Sequence, residues 1–382
     1  MIDVVKEAAS RVHPDMEVIG LPIADGGEGT LDTLFYALEG ERRLCRVMDP
    51  LGHPIDALYG LFGQTAVVEL SRASGYSLLG KEERNPLLTT TYGTGQLIAH
   101  ALDDSRVKEI IVTIGGSATN DGGLGIAQAL GVKALDSQGR EMEKGGGALA
   151  QLTFLDASEM HPRLREVTIR AACDVNNPLY GPLGAARVYG PQKGATPDMV
   201  EVLDRNLQHL SSIIQSDLKL DISHLPGGGA AGGTGAGLVA FCGATIEPGS
   251  QILLDLLGFD EIVKDVDLVI TGEGRIDQQT AYGKAPLEVA RRSKKAGKPV
   301  IGVAGALGDG ISSLYKEGFT AFFSLCQKPM TEKEAIKKAD TYGVSAIENI
   351  LHLSCLRFLA AKKNETGGKD NEAHQDKQAD GI

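Results

Sequence analysis

Residues 109–124 read Glu109-Ile110-Ile111-Val112-Thr113-Ile114-Gly115-Gly116-Ser117-Ala118-Thr119-Asn120-Asp121-Gly122-Gly123-Leu124. The first six are mostly β-branched and do not alternate with polar residues. That is the texture of a strand buried on both faces of a parallel sheet. A loop of glycines and small polar residues follows, and then a helical run, Leu124–Leu130. Strand, glycine loop and helix in this order form the unit of an α/β sheet. Three more segments carry the same order. Met16–Ile23 leads into Asp25–Thr30 and the helix Leu31–Leu38. Val167–Cys173 leads into Asp174-Val175-Asn176-Asn177-Pro178. Leu268–Thr271 leads into Gly272-Glu273-Gly274-Arg275-Ile276-Asp277 and the helix Gly283–Lys295.

The rest of the chain fits around these units. Ile2–His13 has apolar residues at helical spacing. Leu44–Met48, Ile55–Phe62 and Thr65–Leu70 are short strands separated by Asp49-Pro50, Gly52 and Gly63, which predicts an antiparallel meander. Thr94–Leu102 and Asp198–Leu218 read as helices, Pro299–Ala304 and Thr320–Leu325 as strands, and Glu332–Ala361 as largely helical. Residues 362–382 lack aromatic and, Ile382 apart, branched apolar residues, so a disordered tail is expected there. The expectation is two α/β bodies, one built from both chain ends and the other inserted near residues 44 to 265.

Composition excludes several classes. Of 382 residues 42% are hydrophobic and 23% charged, as in ordinary globular chains. No run approaches the roughly 18 apolar residues of a membrane helix, and no signal peptide opens the chain, so a cytoplasmic protein without membrane contact is expected. The net charge of −12 argues against nucleic acid as a partner. The 5 cysteines are scattered singly without a CxxC, which points to free, buried thiols rather than zinc ligands. The 49 glycines are nearly double the usual ~7% share, so glycine must serve special loops.

Those loops carry the candidate chemistry. In open α/β sheets ligands sit beyond the carboxyl ends of strands. Glycine lets backbone approach a ligand, helix N-termini attract phosphate, and nearby carboxylates can hold Mg²⁺. Any one such loop could equally be a plain turn; four with acidic or hydroxyl residues favour a site. Arg275, Lys284 and Lys193 could clamp an anion or be solvated charges. Asp121 could ligate metal or cap the following helix, and Asp174 could be catalytic or form an Asx turn. Ser71–Gly75 could be a substrate loop or a helix cap. There is no GxxxxGK[ST], HRD, DFG, GxSxG or HExxH. The GxGxxG at Gly227, Gly229 and Gly232 lacks a preceding strand, so the glycine-rich stretch to Gly237 reads as a flexible lid or phosphate-facing loop.

With these segments assembled, the chain resembles the glycerate kinase family that makes 2-phosphoglycerate. The matching strings are Leu21–Thr30, Gly115–Gly123, Ala172–Leu179, Gly190-Pro191-Gln192-Lys193-Gly194 and Thr271–Asp277, and the similarity runs to about residue 355. The resemblance implies transfer of the γ-phosphoryl group of ATP to D-glycerate with Mg²⁺. It also implies a Rossmann-like parallel-sheet domain (residues 1–43 plus 266–361) and an inserted α/β domain with a mixed sheet (44–265). Family members open with an apolar strand and a Pro-Asp-Ser-Phe-Lys loop. Here Met1 falls at or inside the following helix, so roughly 15–25 residues of strand, loop and helix are expected to be absent.

On this reading the catalytic candidates are Asp174, Asp25, Arg275 and Lys284, with Asp174 or Asp25 taking the hydroxyl proton. Substrate and phosphate would meet Gly26, Gly27, Glu28, Gly29, Ser117, Thr119, Asn120, Asn176, Lys193, Gly272, Glu273 and Gly274. Asp121 and Asp277 are the Mg²⁺ candidates. The alternatives are an inactive or regulatory nucleotide-binding remnant of the same family, or another small-molecule kinase.

Overall fold

The computed structural model describes residues 1–24, 26–282 and 285–354. They form two compact units. The larger holds Pro22–Glu261 with Gly283–Glu288, and the smaller holds Met1–Leu21, Ile262–Tyr282 and the chain from Val289 on.

The larger unit is built on a mixed sheet. Its strands are β1 (Glu41–Met48), β2 (Pro54–Phe62), β3 (Thr65–Glu69), β4 (Glu109–Thr113), β7 (Thr168–Ala172) and β8 (Thr245–Glu247), in the order β1-β2-β3-β4-β7-β8. A separate antiparallel pair is formed by β5 (Lys133–Leu135) and β6 (Phe154–Asp156). β1, β2 and β3 make the expected antiparallel meander, and β3, β4, β7 and β8 then run parallel. β4 shows why the opening stretch reads as it does. Ile110 and Val112 belong to one apolar cluster, Ile111 to another on the opposite face. Alternate side chains of the strand centre thus enter two cores, and polar residues are left to its ends, Glu109 and Thr113.

Helices cover both faces. Tyr92–Asp103, Leu124–Ala129 and Pro197–Leu218 pack into the first cluster, and Thr30–Ala37 and Gly249–Leu256 into the second. In Pro197–Leu218 the buried residues Val200, Leu203, Leu207, Leu210 and Ile214 recur at three- and four-residue spacing. Proline at its first position and Thr196, whose hydroxyl accepts from the Met199 amide at 3.3 Å, fix its start.

The smaller unit has a parallel sheet of β9 (Val269–Ile276), β10 (Val300–Leu307) and β11 (Ala321–Ser324), with β10 in the middle. Val4, Ala8 and Ala9 of the helix Ile2–Val12 share one core with Ile301, Val303, Val344, Ile347, Ile350 and Leu351. Both ends of the described chain therefore build this unit.

Several expectations differ from the structure. Residues 22–43 pack with the larger unit, because Leu31 and Leu34 are buried against Phe62, Val67, Ile111 and Ile252. Met16–Ile23 is not a strand. Met16 and Val18 pack on the small core, but residues 17–23 have no ladder partner among the described residues. Apolar side chains alone do not make a strand without a neighbour to bond. Gly272–Ile276 is not a loop, because it continues β9 alongside Val303–Leu307. The glycine-rich stretch is no open lid either: Gly227–Ala230 and Gly232–Leu238 are buried, and after a kink of positive φ at Ala231, Gly232 and Gly233 the chain runs helical to Cys242. Helix Glu332–Lys337 is interrupted at Lys338 and resumes over 339–354, and the expected tail 362–382 lies outside the described residues.

Candidate active site

β4 and β7 are adjacent and parallel, so their carboxyl ends open side by side. A cavity of about 530 Å³ lies there, wholly within the larger unit. Gly115, Gly116 and Ser117 enter it after β4, and Cys173, Asp174 and Val175 after β7. Gly26 and Gly27, before the helix Thr30–Ala37, form another wall. Gln192 and Lys193 come from the single-turn helix Pro191–Lys193, with Tyr189 just before them. Tyr76, Arg84 and the pair Ala230–Ala231 complete the lining.

The loops interlock because they carry glycine. A Cβ on Gly115 would stand 2.8 Å from the Gly27 Cα, so the two loops touch backbone to backbone. Gly232 adopts φ +71°, and a Cβ there would lie 2.0 Å from the Thr119 carbonyl oxygen. Its own carbonyl accepts from the Gly122 amide at 3.0 Å. The glycine-rich helix is thereby drawn against the loop that follows β4.

Lys193 is the cation set most deeply in this wall, only 2% exposed. Its Nζ donates to Ser117 Oγ at 2.7 Å and to the Thr119 carbonyl at 2.6 Å. Burial pulls its pKa from 10.5 down to about 7, against the nearby negative charge of Asp121. It is therefore not a solvated surface charge. Arg84 is the second lining cation. Its guanidinium stands 5.3 Å from the Tyr76 ring centre, and its Nε is buried without a partner.

Asp121 departs from the metal expectation. It is buried, and its Oδ2 accepts from the Thr91 amide (2.7 Å), Thr91 Oγ1 (2.9 Å), Thr90 Oγ1 (3.2 Å) and the Gly125 amide (3.3 Å). Its Oδ1 accepts from the Gly123 amide at 3.2 Å. Burial pushes its pKa up and these donors pull it down. With five donors aimed at it, Asp121 ties the starts of two helices together and does not line the cavity. Asp277, in the smaller unit, accepts from Arg275 Nε at 2.8 Å and from the Gln279 amide at 2.8 Å, which caps the turn after β9. Among the described residues no group of three or more His, Cys, Asp or Glu side chains could hold a metal.

Of the expected site residues, the cavity gathers Gly26, Gly27, Ser117, Asp174 and Lys193. Asp174 is exposed, and its Oδ1 accepts from the Gly249 amide at 2.9 Å. Thr119 and Asn120 are buried next to Lys193's anchor. Thr119 Oγ1 and both polar side-chain atoms of Asn120 have no partner. Glu28 and Asn176 are exposed and outside the lining. The Gly29 amide donates at 2.5 Å to buried Glu69, which also holds Arg72 at 2.9 Å, so Ser71–Ser74 is a braced helical turn rather than a substrate loop. Gly272, Glu273, Gly274 and Arg275 lie on β9 in the smaller unit, where Glu273 accepts from Thr280 Oγ1 at 2.6 Å. Asp25 and Lys284 lie outside the described residues.

Sequence reasoning missed Tyr76, Arg84, Tyr189 and the brace Glu69. None stands in a glycine motif, and only folding brings them to the strand ends. Gln192 stood inside a quoted string but carried no assigned role. Cys173 was read as a small buried hydrophobe, and it is buried, with its thiol pKa raised by burial.

Comparison with known proteins places this geometry. Residues 1–354 match the profile of the glycerate kinase family. The chain belongs to the glycerate kinase family. It is 49% identical over 352 residues to a glycerate kinase of Halalkalibacterium halodurans, covering 92% of each chain. It is 46% identical over 348 residues to the glycerate 2-kinase of Escherichia coli K12, covering 91% of each. A crystal structure from Salmonella typhimurium LT2, provisionally named glycerate kinase 2, superposes with a TM-score of 0.82 at 44% identity and covers 93% of this chain and 94% of that one. The chain is thus a kinase, with a mixed α/β fold shared across the family. Among the described residues no helix is long and apolar enough to cross a membrane.

Proposed function

We propose that this chain transfers the γ-phosphoryl group of ATP to D-glycerate and yields 2-phosphoglycerate. The observation that carries the reading is the cavity beyond β4 and β7. It joins a buried lysine and an arginine to glycine amides, with one carboxylate, Asp174, on the rim. The amides of Gly115 and Gly116 donate to no acceptor among the described residues. The Arg84 cation and the free amides suit an anionic substrate, and fixed donors stabilise phosphoryl transfer chiefly by position and charge. Arg84 and the glycine amides would hold the anionic end of glycerate or the phosphate, and Asp174 would accept a hydrogen bond from a glycerate hydroxyl. The names of the relatives support glycerate as acceptor, and one of them supports the 2-position.

Mg²⁺ usually takes one or two carboxylates together with phosphate oxygens. The described residues offer no cage of their own, so the ion would arrive on the nucleotide and offset phosphate charge.

The test is ADP release from Mg-ATP with and without D-glycerate, with the product resolved by ³¹P NMR. Glycerate-dependent ADP and a phosphate on the 2-hydroxyl are expected. No glycerate-dependent release would overturn the substrate, and a 3-phosphate would overturn the regiochemistry alone.

A further inference from the structure

A protonated lysine has three N–H donors, whereas a neutral amine has two and a lone pair. Lys193 Nζ has two acceptors, Ser117 Oγ and the Thr119 carbonyl, and its residue lines the cavity. Two acceptors satisfy a neutral amine and leave its lone pair as the remaining valence. Among the described residues, the charged and titratable groups around it are Asp121 behind, and Arg84, Tyr76, Tyr189, Cys173 and Asp174 in the lining. Burial raises the pKa of both Tyr189 and Cys173, so both stay neutral near pH 7. Asp174, the other group of the described lining able to accept a proton, is exposed, and its Oδ1 accepts from the Gly249 amide.

We propose that Lys193 is the catalytic residue that takes the proton of the acceptor hydroxyl, in place of Asp174. The proposal rests on the kinase reading above. In the step, the hydroxyl O–H bond breaks and its proton bonds to the Nζ lone pair. The hydroxyl oxygen bonds to the γ-phosphorus. The bond from that phosphorus to the bridging oxygen breaks, and ADP leaves with the electron pair. Lys193 returns its proton to water after product departs. The lowered pKa of about 7 leaves a large neutral fraction at neutral pH, the condition a base needs.

The experiment compares the wild type with Lys193→Arg, Lys193→Met and Asp174→Asn. It follows kcat/KM from about pH 5.5 to 9 and ATP binding by calorimetry. In parallel, the wild type is acetylated competitively across the same range, and Lys193 is read by mass spectrometry. Lys193→Arg holds a permanent charge and cannot deprotonate. It should lose about 10²- to 10⁴-fold in turnover while binding ATP within a few-fold. Wild type and Asp174→Asn should share an acid limb with a midpoint near 7, and Lys193 should gain reactivity over the same range. The proposal is overturned if Lys193→Arg keeps turnover within about threefold, or if the acid limb moves in Asp174→Asn instead. It is also overturned if Lys193 titrates near its ordinary value. The acetylation arm needs no turnover. A wild type silent toward D-glycerate but with Lys193 titrating near 7 would sink the substrate and leave the assignment of a neutral cavity amine standing. Should either Lys193 variant fail to fold, the acetylation titration and the wild-type pH limb still decide.

Discussion

Two segments of similar pattern meet opposite fates. Gly115–Gly123 and Gly272–Asp277 both put glycines and a carboxylate after a β-branched strand. After β4 the strand stops at Thr113, and the chain turns inward and buries Asp121, Thr119 and Asn120. After Thr271 the strand simply continues, because Val303–Leu307 of β10 lies alongside to bond it. The Arg275 side chain there remains 65% exposed. A strand of glycines is maintained by its neighbour, whereas a loop of glycines is maintained by what it encloses. The first segment should therefore tolerate almost no change and the second a good deal.

The sharpest contrast is between the two carboxylates. Asp121→Ala removes the acceptor for five buried donors and should cost about 3–5 kcal/mol, read as a lowered denaturation midpoint. Asp277→Ala should cost about 1 kcal/mol or less, because it loses a turn cap and a partly exposed ion pair. Equal losses would break the comparison. The glycines give the next test. Gly232→Ala forces a side chain into φ +71° and against the Thr119 carbonyl, and about 2–4 kcal/mol should be lost. A Cβ on Gly274 meets nothing within 4 Å, so Gly274→Ala should stay within about 0.5 kcal/mol of wild type. For the cavity rim, Asp174→Asn should lower kcat about 100-fold with an unchanged melting temperature, as expected for a group that serves chemistry rather than packing.

The Lys193 effect carries a sign. Its pKa is about 7 in the fold and near 10.5 in the unfolded chain. Between these values the unfolded state holds the extra proton, so this group makes stability rise with pH from about 7 to 10.5. At and below pH 7 its burial cost is fully present. Lys193→Met removes that cost but leaves Ser117 Oγ and the Thr119 carbonyl without a donor. At pH 6 the variant should be more stable by about 1–2 kcal/mol, and the gain should vanish toward pH 10. A gain that grows with pH would refute the buried-amine account.

What was legible in the sequence follows from which forces are local. β4 and the parallel strands were readable because a strand buried on both faces has no polar positions at its centre to confuse the pattern. The meander was readable from its turn residues. The end of β9 was not, since whether Gly272–Ile276 pairs depends on the length of β10, some 30 residues away. The strand expected at Met16–Ile23 failed for the converse reason: its apolar residues find a core but no ladder. In the site, Gly26, Gly27, Ser117, Asp174 and Lys193 stood in strings that could be recognised, and the structure brings them to one cavity. Asp121 carried two readings, and the five donors around it select the cap. Arg84 and Glu69 had no local signature, because each acquires its partners only across the fold.

The core shared by Ile2–Val12 and the helical residues 344–351 also orders events in time. On the ribosome the helix Ile2–Val12 emerges with its apolar stripe bare, and its packing partners, Ile301 to Leu351, follow roughly 300 to 340 residues later. At ordinary elongation rates that is a wait of roughly 20–70 s. The sheet of the larger unit ends with β8 at Glu247 and is in hand well before then. The nascent chain thus finishes its cavity wall while still carrying an unsheltered helix, and chaperone demand should fall on that helix rather than on the cavity.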